Sequence, residues 1–186
     1  TAPSTILDPG RFQLASKVTV TWSKSHPEFA GKTLDEAAKA LNTALEDAAA
    51  RLMPAGAIYF MMSEDDVRRV LAFPYTMIGS DGLPHDEHPH PRLWGTFPRV
   101  LGHYARDVKL FSLEEAVRRM TALSAAQFGL KDRGVLREGA YADLVLFDPE
   151  TAPDAATFER PKTPAKGIAE VFVNGRKIGS GGQFPP

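Results

Sequence analysis

The punctuation of this chain changes near Lys131, and that change limits the folds it can adopt. Ahead of it, Ser or Thr repeatedly stands three residues before Glu or Gln. At that spacing each side chain can satisfy the other residue's free backbone N–H at a helix start. Thr33 with Glu36, Thr43 with Glu46, Ser112 with Glu115 and Ser124 with Gln127 all have it. They predict helices over about 34–41, 44–52 and 113–123, and a last short one ending at Gly129. Ser63 predicts another over EDDVRRVLAF, with acids in the first turn, where the helix dipole favours them, and Pro74 as its stop. RVLGHYARDV also reads as helical. Behind Lys131 the chain turns to DRG, REG, YADLVLF and Asp148-Pro149. IAEVFV and RKI then flank Asn174-Gly175, a strong hairpin signal because both turn positions take positive φ. The expectation is part of an α/β domain first and a small β-rich unit after it.

Three further stretches read as extended or irregular. Val18, Val20 and Trp22 fall on one face of a short strand. AIYFMM is a buried run that fits a strand or a helix start equally. Thr76-Met77-Ile78-Gly79 reads as a short buried strand running into Ser80-Asp81-Gly82. Helix followed by buried strand is the rhythm of a parallel sheet. LPHDEHPHPRLWGTFP reads as one long loop, with prolines at 84, 89, 91 and 98. The opening TAPSTILDPG lacks an amphipathic repeat and reads as a chain cut at a loop.

Charge and composition exclude several classes. Lys and Arg number 22 and Asp and Glu 23, which argues against a nucleic-acid or membrane-surface partner. No apolar run approaches the ~18 residues needed to span a bilayer. There is no cysteine, so neither a disulfide nor a thiolate metal site can form within the chain. That composition suits a reducing cytoplasm.

Gly79-Ser80-Asp81-Gly82 is the most suggestive site. A carboxylate at the C-terminal end of a buried parallel strand stands where α/β barrels keep their catalytic groups; a plain Asp-Gly turn has the same letters. His85, His88 and His90, with Asp86 and Glu87 among them, are numerous enough to chelate a metal. The interleaved prolines forbid the helical spacing that gathers ligands, so a solvated polar loop is the simpler reading. Arg92 can grip a carboxylate with its fork, or simply stack on Trp94 at the surface. Ser23, His26 and Asp35 have the residue types of a nucleophilic triad but no nucleophile elbow, and are set aside.

The stretches VTWSKSHPEFAGKTLDEAA, RLMPAGAIYFMM, TMIGSDGLPHDEHPHPRLWGTFPRVLGHYARD, GAYADLVLFDPETAPDAATFERP and GIAEVFVNGRKI resemble the N-acyl-D-amino-acid deacylases (D-aminoacylases) of the amidohydrolase superfamily. The likeness implies a (β/α)8 barrel with a lid-like helical insertion and a small β-sandwich. Residues 1–55 would be the insertion, 56–130 the last part of the barrel and 131–186 the C-terminal part of the sandwich. It implies hydrolysis of N-acyl-D-amino acids by zinc-activated water. Asp81 would be the catalytic acid/base, Arg92 a holder of the substrate carboxylate and Ser4 a substrate neighbour. The zinc ligands would lie mainly outside this chain, in an N-terminal portion of the same enzyme that is its implied partner. Deacylation of N-acyl-D-glutamate or N-acyl-D-aspartate, a cyclic amidase, and a non-catalytic binding fragment are the alternatives.

Overall fold

A computed structural model describes residues 15–151 and 155–181. The chain divides into two compact units. One holds residues up to 62 together with 83–90; the other holds 63–82 and 91 onward.

In the first unit, β1 (Val18–Ser23) and β2 (Ala55–Tyr59) pair antiparallel. AIYFMM therefore begins as strand. Between them lie α1 (Leu34–Ala40) and α2 (Leu45–Leu52). Both halves of the Thr33–Glu36 capping box form, and Thr33 N donates to Glu36 Oε2 at 2.7 Å. The second expected box does not form. Ala44 is the N-cap of α2, and the Thr43 hydroxyl reaches Asp47 instead, at 3.4 Å. The single-face expectation for β1 also fails at Trp22. The register shifts between Val20 and Trp22, so Thr21 and Ser23 turn inward while Trp22 is only half-buried. An extra residue in one strand reverses the alternation beyond it. Val18, Val20, Phe29, Leu34, Ala37, Ala38, Ala48 and Leu52 close the core. At ~25 cal/mol per Å2 of apolar surface, this burial is what holds two short helices that propensity alone would not.

The second unit begins with α3 (Glu64–Ala72), whose N-cap Ser63 accepts from Asp66 N. Residues 76–79 then form no strand. Among the described residues no strand lies beside them, and backbone without a neighbour makes no ladder. Ile78 N finds a single carbonyl, that of Arg119, at 3.4 Å. Every strand pair among the described residues is antiparallel, so the expected parallel rhythm is absent from them.

The proline-rich loop is shorter than its letters suggest. Helix α4 starts at Arg92 and runs to Arg99, with Pro98 inside it. Pro91 supplies the N-cap, and its carbonyl accepts from Gly95 N at 2.8 Å. A proline near the helix start costs little, because N–H groups there have no intrahelical partner. Pro98 does disturb the ladder. Directly after it the helix widens into a π-helix over Val100–Asp107, where Val108 N reaches back to His103 O at 2.8 Å. Helix α5 (Leu113–Met120) has its expected N-cap, Ser112. The chain breaks at Thr121 (φ −130°, ψ −89°), and α6 (Ala122–Gln127) follows. Ser124 therefore sits inside α6 instead of capping it, and its hydroxyl donates to Arg119 O. Val100, Leu101, Tyr104, Ala105 and Ala116 form the core here, with Leu71 and Ile78 packed against them.

The expected β-rich segment is an antiparallel sheet, β3 (Leu144–Phe147), β4 (Ile168–Val173) and β5 (Arg176–Ser180), in the order β3-β4-β5. Asn174 (φ 50°) and Gly175 (φ 76°) make the expected turn.

Candidate active site

Asp81 follows the strandless segment at φ 48°, a left-handed conformation that aspartate tolerates better than most side chains. Gly82 is needed next to it. A Cβ there would stand 2.8 Å from the Cα of Leu93, in the first turn of α4. That contact brings α4 against the turn and puts Arg92 beside Asp81. Arg92 Nη2 lies 2.8 Å from Asp81 Oδ2, and Arg92 Nε donates to the Asp81 carbonyl at 2.9 Å. The arginine thus holds both the side chain and the backbone of the aspartate. The Asp81 side chain is 82% exposed, so its carboxylate is open to a ligand. Gly79, by contrast, faces open space, and no close approach explains it.

The histidine loop does not form a chelate. Among the described residues no group of three or more His, Cys, Asp or Glu could hold a metal ion. His88 N donates to Thr21 O at 2.9 Å, and the His88 ring lies where a Cβ on Gly31 would fall, 3.0 Å from Nδ1. Pro89 is fully buried. The loop is thus packed on the first unit by ordinary contacts. The set-aside triad does not assemble either. Ser23 Oγ donates to Leu52 O at 2.6 Å, His26 Nδ1 pairs with Glu28, and Asp35 with Lys39. Ser4 lies outside the described residues.

One cluster was not singled out by sequence. Glu115 on α5 holds both Arg118 (2.6 Å) and Arg119 (2.7 Å). The Arg118 guanidinium, then that of Arg119, pull the Glu115 carboxyl down to about 2. The Arg119 side chain is only 4% exposed. Its Nη1 donates to the carbonyls of Leu71 and of Phe73, the latter at 2.8 Å, and its guanidinium lies 5.0 Å from the centre of the Phe111 ring. The available sequence signal was an acid with arginines three and four residues on, which normally marks a solvated helix face.

Residues 28–178 match the Amidohydrolase family, a span that contains Asp81, Arg92 and Arg119. The chain is 59% identical over 177 residues to the D-aminoacylase of Alcaligenes xylosoxydans xylosoxydans, covering 95% of this chain and 37% of that protein. It is 52% identical over 180 residues to the N-acyl-D-aspartate deacylase of the same organism, covering 97% of this chain and 36% of that one. A crystal structure of N-acyl-D-glutamate deacylase from Bordetella bronchiseptica, complexed with zinc and a phosphonate mimic of the tetrahedral intermediate, superposes with TM-score 0.89. The identity there is 51%, over 92% of this chain and 36% of that one. This chain therefore spans little more than a third of the length of these relatives. The likeness establishes an α/β metal-hydrolase fold, and with most of its length matched, the chain belongs to the amidohydrolase family.

Proposed function

We propose that this chain is part of a larger zinc-dependent amidohydrolase that cleaves the amide bond of N-acyl-D-amino acids, giving a D-amino acid and a carboxylate. The observation that carries the proposal is the Asp81–Arg92 pair, a carboxylate and a guanidinium 2.8 Å apart beside one turn. It stands in a chain 59% identical to a D-aminoacylase.

In this reading, Asp81 takes a proton from the water that attacks the amide carbonyl carbon. As the C–N bond breaks, it returns that proton to the departing nitrogen. Arg92 holds the substrate carboxylate by its fork. Its Nη2 now rests on Asp81 Oδ2, so an incoming carboxylate competes for it. Entry of the substrate then frees Oδ2 for proton transfer. Ser4 is carried into the proposal as a substrate neighbour.

The residues described here do not make a zinc site by themselves. They hold no three-ligand group, and the chain has no cysteine. The ligands are assigned to the N-terminal portion of the same enzyme, and no step above passes through the metal. Exposed apolar side chains support such a partner: Val145 and Leu146 on β3, Phe73 and Tyr75 after α3, and Leu136. So does the unladdered segment 76–79, which in this reading is the eighth strand of the barrel, paired by strands of that portion. Residues 1–55 are then the lid-like insertion, 56–130 the end of the barrel and 131–186 the sandwich segment. A cytoplasmic location belongs to the same proposal and rests on the cysteine-free composition.

The test is hydrolysis of N-acetyl-D-methionine by the assembled enzyme. The D enantiomer is expected to turn over and the L enantiomer not. Asp81→Asn should lower kcat by about 10²–10⁴, the contribution of a general acid/base. Full activity of D81N, or equal rates for both enantiomers, would sink the proposal. The 52% identity to both the aspartate and glutamate deacylases supports a second reading, an acidic D-side chain in the substrate. N-acetyl-D-aspartate and N-acetyl-D-glutamate in the same panel decide between them.

A further inference from the structure

The segment that leads to Asp81 is held to α5 by contacts that belong to no strand ladder. Arg119 of α5 holds both ends of Leu71–Ile78, and its neighbour Arg118 holds Pro74 within it. At its start, the Arg119 guanidinium accepts none and donates to Leu71 O and Phe73 O, while Arg118 Nη2 donates to Pro74 O at 3.2 Å. At its end, Ile78 N donates to the Arg119 carbonyl. Ile78 also packs on the second core, three residues before Asp81.

A guanidinium this deeply buried is costly unless its donors are filled, and removal of a partner leaves a desolvated charge. Glu115 fills Nε at 2.7 Å and so fixes which way the fork faces. Both backbone acceptors lie 46 and 48 residues earlier in the chain, so the contact is a tertiary strut and no part of the α5 helix itself.

We propose that Arg119, oriented by Glu115, is a positioning residue for Asp81: it sets where the aspartate stands without touching the substrate. The inference rests on the reading of Asp81 as the acid/base. A lysine at 119 keeps the charge but has one nitrogen where the arginine uses two, Nη1 on the two carbonyls and Nε on Glu115, so it cannot hold all three partners in the same places. The segment would then relax, and misplacement of a reacting group by about 1 Å can cost as much as ~10²-fold.

The test compares Arg119→Lys, Glu115→Gln and Asp81→Asn in the full zinc-loaded enzyme, by kcat, KM and the pH dependence of kcat/KM. The expected result for R119K is a kcat lowered by about 10- to 100-fold, with KM within about twofold. The acid limb of its pH profile should also move, since the surroundings of Asp81 have changed. A simple loss of folded molecules scales the profile without moving it. If R119K is folded and its profile superimposes on the parental one, the proposal is overturned. If R119K does not fold, E115Q decides: a lower kcat with a shifted limb supports the proposal, and a parental profile overturns it. D81N separates the two layers. Activity retained in D81N removes the acid/base reading and this inference with it, whereas activity lost in D81N but parental in R119K removes the inference alone.

Discussion

The two antiparallel sheets of this chain are built from similar letters and finished differently. In the β1–β2 unit the apolar side chains meet each other, and Phe29 is buried together with Ala37 of α1 and Ala48 of α2. In the β3–β5 sheet the backbone ladder is equally regular, yet Val145 and Leu146 are 55% and 58% exposed. Hydrogen bonding thus gives both their strands, while only the first has closed its own core. Paired strands do not by themselves require burial on either face; burial requires a covering layer. The lesson is that the first unit covers its own apolar side chains, whereas the sheet leaves Val145 and Leu146 uncovered among the described residues.

Substitutions can break or sharpen that contrast. Phe29→Ala should cost about 3–5 kcal/mol in urea denaturation, because a large side chain is removed from a closed core. A cost near zero would mean that the first unit is no more complete than the second. Thr33→Ala, which removes one arm of a formed capping box, should cost about 1 kcal/mol in the same measurement. Leu146→Ala should change the stability of this chain alone by no more than ~0.5 kcal/mol, as for any exposed position. In the assembled enzyme its cost should rise toward that of Phe29→Ala. Equal small effects in both settings would show that nothing covers β3.

What the sequence disclosed follows the same division. The Thr33–Glu36 box, the Ser63 and Ser112 caps and the Asn174-Gly175 turn were legible because each is settled within a few residues. Segment 76–79 reads as a strand but forms none among the described residues, because a strand depends on its neighbours, which no local pattern contains. Trp22 was misplaced by one bulge, and Ser124 by a helix break at Thr121 that its own letters do not announce. Asp81 and Arg92 were singled out by letters and resemblance, but their contact depends on Gly82 letting Leu93 come close. Arg119 escaped notice because its meaning lies in carbonyls far back along the chain.

The double grip of Arg92 on Asp81 also closes a ring of chain, since the residues between them leave the second unit and return at Pro91. Within that ring Asp86 and Pro89 are buried, but Leu83, Pro84 and His85 are exposed. Closure entropy rises slowly with length, so doubling such a ring costs only about 0.6 kcal/mol. The stretch just after Gly82 can therefore lengthen without loosening the pair at its base. Insertions there are a route by which chain can be added while the carboxylate and guanidinium keep their contact.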